Sequence, residues 1–60
     1  MNDLIGKKVT IYSVAATVDP SDVGTLEKIE GQWIWLRKSE REVLIFNVDR
    51  IRAVKPFEPL

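Results

Sequence analysis

Residues 41–54 read REVLIFNVDRIRAV, and they contain four consecutive apolar side chains, Val43 to Phe46. A strand with one face in the core and the other in water alternates apolar and polar residues. This stretch does not alternate, so we expect a strand that is covered on both faces. In a chain of 60 residues, the second cover has to come from the chain's own turn or tail, or from another molecule.

The length and composition restrict how the chain reaches stability. Sixty residues suffice for one domain, expected over residues 1–60. A domain of this size buries only about 60% of its unfolded surface, and it usually needs disulfides, a metal, very good packing or oligomerisation. The sequence has no Cys and no His, which excludes disulfides and the commonest metal ligands. We therefore expect good packing and a homo-oligomer.

The remaining sequence consists of short β-type segments separated by turn residues. The expected elements are a helical turn over 2–6, strands over 7–18, 23–30, 32–38, 42–48 and 50–56, turns at 19–22 and 47–50, and an extended tail over 57–60. Gly24 predicts a bulge or a bend at a barrel corner. Five short strands without a long helix predict an all-β fold, a small, strongly bent SH3-like barrel.

Charge and hydropathy exclude several classes of protein. Nine Lys and Arg balance nine Asp and Glu, whereas strong non-specific nucleic-acid binders carry a basic excess. The halves differ mildly: residues 1–30 have three basic and five acidic side chains, and residues 31–60 have six and four. No apolar run approaches the roughly 20 residues of a transmembrane helix, and the N-terminus does not resemble a signal peptide. We expect a cytoplasmic protein that does not contact membranes.

The sequence contains few of the residue types that enzymes commonly use for catalysis. Without His or Cys, the usual pairs of nucleophile and base are missing. Asp19 and Asp22 lie in an expected turn, and Glu27 and Glu30 lie on or beside an expected strand. No spacing matches a metal-binding loop. The sequence predicts that the protein is not an enzyme, and that it has no catalytic residue, no cofactor and no metal site.

Three segments, LIGKKVTIY, GTLEKIE and LIFNVDRIRAVKP, resemble the Sm-like family of ring-forming β-barrels, and the resemblance covers most of residues 4–56. It implies a barrel of the Sm-like type that pairs its fourth strand with the fifth strand of the next subunit. The interface residues would then be Val43, Ile45, Phe46, Ile51 and Ala53. Leu44 and Phe46 would face the core and Val43 and Ile45 the neighbour, or the reverse. The alternative is that the N-terminal turn or the tail covers this strand within one chain.

The resemblance also implies contacts with single-stranded RNA, for which the candidate residues are Trp33, Asn47, Arg50 and Arg52. The chain is a divergent member in this respect. The loop EGQW has Trp33 where uridine-binding relatives carry Asn, and FNVDR replaces their Arg-Gly step.

Several other side chains have two interpretations. Trp33 and Trp35 either stack on a ligand or pack under a loop, and Trp33 is the better ligand candidate. Arg37, Lys38 and Lys55 either join a basic cluster with Arg50 and Arg52 or pair with Glu40, Glu42 or Asp49. Tyr12 either stacks on a base or fills the outer face of its strand.

Two functions follow from these observations. The first is a non-enzymatic module that self-assembles, or binds a protein partner, through its β edges. The second is an Sm-like ring that binds single-stranded RNA through its loops. We favour the first because it needs no ligand pocket and is compatible with zero net charge.

Overall fold

The computed structural model describes residues 2–14 and 20–57. They form one five-stranded antiparallel sheet with two 3₁₀ turns, which confirms the all-β prediction. The strands are β1 (Lys8–Ser13), β2 (Ser21–Glu30), β3 (Trp33–Arg37), β4 (Val43–Asn47) and β5 (Ile51–Pro56). The 3₁₀ turns span Asn2–Leu4 and Val48–Arg50, where the sequence predicted turns.

The sheet bends about its longest strand, β2. The first half of β2 pairs with β1 and the second half pairs with β3, with a register shift between Leu26 and Lys28. A Cβ placed on Gly24 would lie 2.5 Å from the backbone oxygen of Arg37, which is closer than non-bonded atoms approach. Only glycine lets the backbones come this close. The sequence predicted a bulge or a bend at Gly24. The structure has a close approach of two backbones at Gly24 and a bulge further along β2, between Leu26 and Lys28.

The core lies inside the bend and is small. Its fully buried side chains come from the three central strands: Val9, Ile11, Leu26, Ile34 and Leu36. Half-buried side chains complete it: Leu4, Ile29, Phe46, Ile51 and Val54. Leu4 of the N-terminal turn packs against this core, whereas Ile5 is largely exposed.

The boundary between β1 and β2 differs from the prediction. Ser21 and Asp22 were expected in a turn, but they belong to β2 because they pair with Tyr12 and Ile11. Cross-strand pairing here prevails over the turn preference of Ser and Asp. The parts of the predicted turn and of the first strand that fall on residues 15–19, and the tail over 58–60, lie outside the described residues.

The order of strands is β4-β3-β2-β1-β5, so β4 and β5 are the two edges of the sheet. Within the described residues β4 pairs with β3 alone and β5 with β1 alone. The barrel is therefore open along the seam between β4 and β5. Two edges without a neighbouring strand therefore remain in the described part of the chain.

Candidate interaction surface at the sheet edges

The side chains of β4 divide between the core and the solvent. Phe46 pairs with Ile34 and Leu44 with Leu36, so both lie on the core side of the sheet. Ile45 pairs with Trp35 on the outer face and is 53% exposed. Of the two arrangements that the sequence left open, the structure has Leu44 and Phe46 inward.

The backbone of β4 presents a regular row of hydrogen-bonding groups. At the two ends of the β3–β4 ladder, the Lys38 N–H donates to the Glu42 carbonyl and the Val48 N–H to the Gln32 carbonyl, at 2.9 and 2.7 Å. Bonded and non-bonded pairs alternate along an antiparallel ladder. Even-numbered residues of β4 therefore bond to β3. The N–H and C=O groups of the odd-numbered residues point to the open edge, at Val43, Ile45 and Asn47.

The backbone of β5 offers much less. The Phe57 N–H donates to the Lys8 carbonyl and the Val14 N–H to the Arg50 carbonyl, and a register shift lies between Tyr12 and Ser13. By the same alternation, the open-edge positions are Ile51, Val54 and Pro56. The Ile51 N–H donates to the Val48 carbonyl. Proline has no N–H, so Val54 supplies the one available donor of these three positions.

The outer face beside β4 has a group of apolar side chains, bordered by Arg37 and Asn47. We name it the outer patch, consisting of Trp33, Trp35, Val43 and Ile45. Trp33 is 48% exposed, while Trp35 is half-buried with the Lys28 ammonium 4.9 Å from its ring centroid. The exposure of Trp33 agrees with its choice as the better ligand candidate.

No described residue of the N-terminal turn or the tail covers this patch. Leu4 packs against the core, and the Phe57 ring lies 5.0 Å from the Lys8 ammonium at the opposite edge of the sheet. Ile45 stays exposed. Within the described residues, the cover that the alternative expects from the turn or the tail is missing at Ile45.

The predicted interface residues do not form one surface in a single chain. Val43 and Ile45 lie at the β4 edge, and Ala53 is exposed on β5 at the other edge. Phe46 and Ile51 are half-buried against the core, so they can take part only through atoms that the core leaves uncovered.

The predicted RNA-contact residues also separate into two places. Trp33 and Asn47 are cross-strand neighbours, and the Asn47 side chain accepts a bond from the Asp49 N–H at 2.9 Å, which caps the second 3₁₀ turn. Arg50 is exposed at the end of that turn. The Arg52 guanidinium instead lies 5.5 Å from the Tyr12 ring on the outer face of β1 and β5.

Beside Tyr12 lies a cleft that the sequence analysis did not find. Its volume is about 220 Å³, and it is lined by Thr10, Tyr12, Lys55, Pro56 and Phe57; we name it the basic trough. The strand positions on this outer face carry three cations, several hydroxyls and the Tyr12 ring, with two small apolar residues between them: Lys8, Thr10, Tyr12, Ser21, Val23, Thr25, Arg52, Ala53 and Lys55. The Glu27 carboxylate lies further along β2 and is bound by Arg37. The sequence feature that could have located this face is the alternation of positions 8, 10 and 12 with the apolar positions 9 and 11, which are buried in the structure.

Arg37 donates through Nε and Nη2 to the two Glu27 oxygens at 2.9 and 3.2 Å. These hydrogen bonds lower the pKa of Glu27 and raise that of Arg37. Lys38 donates to Asp22 at 2.9 Å, and this bond raises the pKa of Lys38. Both cations are ion-paired, but the expected pairing with Glu40, Glu42 or Asp49 is wrong for them, because the carboxylates that they bind lie on β2.

Two further observations concern the described residues as a whole. Between residues 2–14 and 20–57, no three His, Cys, Asp or Glu side chains are grouped closely enough to hold a metal ion. The same residues contain no helix with the length and apolar character needed to cross a membrane.

The described residues define a class of molecule, a small all-β domain whose edge strand β4 is regular, uncharged and paired on one side alone. No family model, curated protein or solved structure matches the chain.

Proposed function

We propose that the protein is a non-enzymatic interaction module that pairs its β4 edge with a strand of another polypeptide. The observation that supports this most directly is the row of outward backbone groups at Val43, Ile45 and Asn47, on a strand without charge, proline or bulge. Monomeric proteins usually protect an edge of this kind with charges, bulges or a covering segment. Strand addition to an exposed edge is a common mode of protein recognition.

The side chains beside this edge add to the driving force. Ile45 and Trp33 expose about half of their surfaces next to the open edge. A strand added there would bury part of the outer patch, at about 25 cal/mol per Å² of apolar surface. Five fully buried side chains make a small core, so a further contribution from assembly is valuable to a domain of this size.

Substitution of Ile45 tests the proposal. Ile45→Lys places a charge at the edge and should abolish association, measured as molecular mass by light scattering over a range of protein concentrations. Val23→Lys is the matched control, because Val23 is also an exposed apolar strand residue but lies on β2 away from both edges. The proposal would be overturned if the wild type and both variants self-associated equally and also bound strand-forming peptides equally.

The basic trough supports a second candidate function, binding of single-stranded RNA by an Sm-like protein. Aromatic rings beside cations are the combination that binds bases and phosphates of single strands. Tyr12 and Phe57 supply the rings, and Lys55 with Arg52 supplies the charge. The two candidates are compatible, because the trough and the β4 edge occupy different parts of the sheet.

Filter binding with oligo-U and oligo-A at two salt concentrations tests RNA binding. Lys55→Glu should weaken binding about tenfold or more and reduce its salt dependence, because a phosphate contact is lost. Lys28→Glu, outside the trough, is the control with the same change of charge. Equal affinity of the two variants for RNA would exclude the trough as the RNA-binding site. A cytoplasmic location belongs to both proposals and is tested by imaging a tagged chain in cells.

A further inference from the structure

We infer that the partner of the β4 edge is a second copy of this chain, paired β4 to β4 in antiparallel orientation about a two-fold axis at Ile45. The inference rests on the proposed function of this edge and specifies its partner, strand and register. It differs from the ring that the Sm-like resemblance implies, in which β4 of one subunit pairs with β5 of the next.

The first reason is the supply of backbone groups. The β4 edge offers N–H and C=O groups at Val43, Ile45 and Asn47, all evenly spaced. The β5 edge has Val54 as the one donor of its three open positions, because the Ile51 N–H is already bonded and Pro56 has none. A β4 edge that paired with β5 would therefore leave two of its three outward carbonyl groups without a donor. Two β4 edges match each other along their whole length.

The second reason is that β4 is complementary to itself in one register. With Ile45 opposite Ile45 of the partner subunit, Val43 lies opposite Asn47 of the partner subunit, and the reverse pair follows by symmetry. Each of these facing pairs can exchange two backbone hydrogen bonds, as hydrogen-bonded pairs do in antiparallel ladders. An isologous interface of this kind closes at two subunits.

The third reason is the character of the side chains that this register brings together. Outside, the two Ile45 side chains meet, each next to the Trp35 of its own copy. On the core side, Leu44 lies opposite Phe46 of the partner subunit. Residues Val43 to Asn47 carry no charge, so identical copies do not repel each other at the joint. Leu44, Ile45 and Phe46 then each gain an apolar neighbour across the joint.

Proline substitutions test the strand and the partner together. In Ile45→Pro the lost N–H is one that points to the open edge, so bonds to β3 are kept. Val54→Pro removes the corresponding outward N–H at the β5 edge, together with a side chain that packs against the core. We expect a wild-type mass of twice 6.9 kDa by sedimentation equilibrium, half of that for Ile45→Pro, and an unchanged dimer for Val54→Pro. Circular dichroism verifies that each variant is folded.

Cysteine cross-linking tests the register even if a proline variant does not fold. The chain has no Cys of its own, so an introduced thiol can pair only with another copy. Facing residues of a hydrogen-bonded pair have Cα atoms about 5.5 Å apart, which suits a disulfide. Ile45→Cys should form a disulfide-linked dimer within minutes of mild oxidation. Val43→Cys and Val23→Cys should not, whereas Val43→Cys combined with Asn47→Cys should.

The outcomes separate this inference from the proposed function. A ring larger than a dimer that both proline variants disperse would overturn the inference and retain the β4 edge as an interaction site. A wild-type monomer would also overturn the inference, and the proposed function would then depend on binding of strand-forming peptides. If neither Ile45→Pro nor Ile45→Lys changed the association, both the inference and the proposed function would be overturned.

Discussion

The two edges of the sheet are built differently, although both consist of a short strand that packs an aromatic or aliphatic side chain against the core. The β5 edge is interrupted by a register shift and ends in Pro56. The β4 edge is regular, uncharged and apolar from Val43 to Phe46. Bulges and prolines at edges prevent unwanted pairing. On the proposed function, this difference would leave the β5 edge protected against association and the β4 edge available for it.

The surfaces beside the two edges differ in the same direction. The outer patch beside β4 is apolar, with Trp33 and Ile45 exposed. The trough beside β5 has Lys55, with Lys8 and Arg52 close to its rings. A zero net charge therefore conceals an apolar side suited to protein contacts and a basic side suited to anionic ligands. A mean composition cannot show this division.

The largest expected effect comes from a substitution that disrupts the bent sheet and therefore both of its edges. Gly24→Val places a side chain where a Cβ alone would lie 2.5 Å from the Arg37 backbone oxygen, so β2 and β3 have to separate. We expect a loss of about 3 kcal/mol or more in the free energy of unfolding, measured in urea, because overpacking against backbone leaves no side chain to move aside. Thr25→Val, at the exposed next position, should change stability by less than about 0.5 kcal/mol. Equal stability of the two variants would contradict the bend described at Gly24.

Amide hydrogen exchange gives an intermediate effect and compares the edges directly. The amides of Leu44 and Phe46 bond to β3 and should be protected at every protein concentration. The amides of Val43 and Ile45 should exchange rapidly in dilute protein and become protected at high concentration. The Val54 amide at the β5 edge is the internal control and should exchange rapidly throughout. Protection of Val54 that rises with concentration would make the two edges equivalent.

The smallest expected effect concerns a contact that belongs to neither edge. The hydrogen bonds from Arg37 hold the pKa of Glu27 below its ordinary value of 4.5. A lowered pKa in the folded state means that the stabilisation is present above pH 4.5 and is lost as pH falls through the lowered pKa. NMR titration should show this pKa return toward 4.5 in Arg37→Met, at every protein concentration. A pKa of Glu27 that changes on dilution would link the ion pair to assembly.

The fold could largely be predicted from the sequence because the relevant signals are local. Alternation in β1 and β3, the turn residues at 47–50 and the absence of any helical period each depend on a few neighbouring residues. The prediction failed at Ser21 and Asp22, where pairing with β1 decides the structure. That pairing is a tertiary effect, which a local preference cannot contain.

The candidate sites were predicted less well than the fold. Val43 and Ile45 were singled out as candidates because four apolar residues in a row are unusual for an exposed strand. The trough was missed because Tyr12 and Lys55 are distant in the sequence and meet only through the pairing of β1 with β5. The different availability of the two edges depends on which amides point outward. That property follows from register, which composition does not reveal.

The pairing of β1 with β5 also has a kinetic consequence. β3 and β4 are joined by a short turn and can form a hairpin early, whereas β5 has to find β1 across most of the chain. Contacts between distant segments form late because loop closure is costly. We therefore expect the newly synthesised chain to expose β4 before β5 has docked. Encounter of two such half-folded chains would make assembly part of the folding reaction itself.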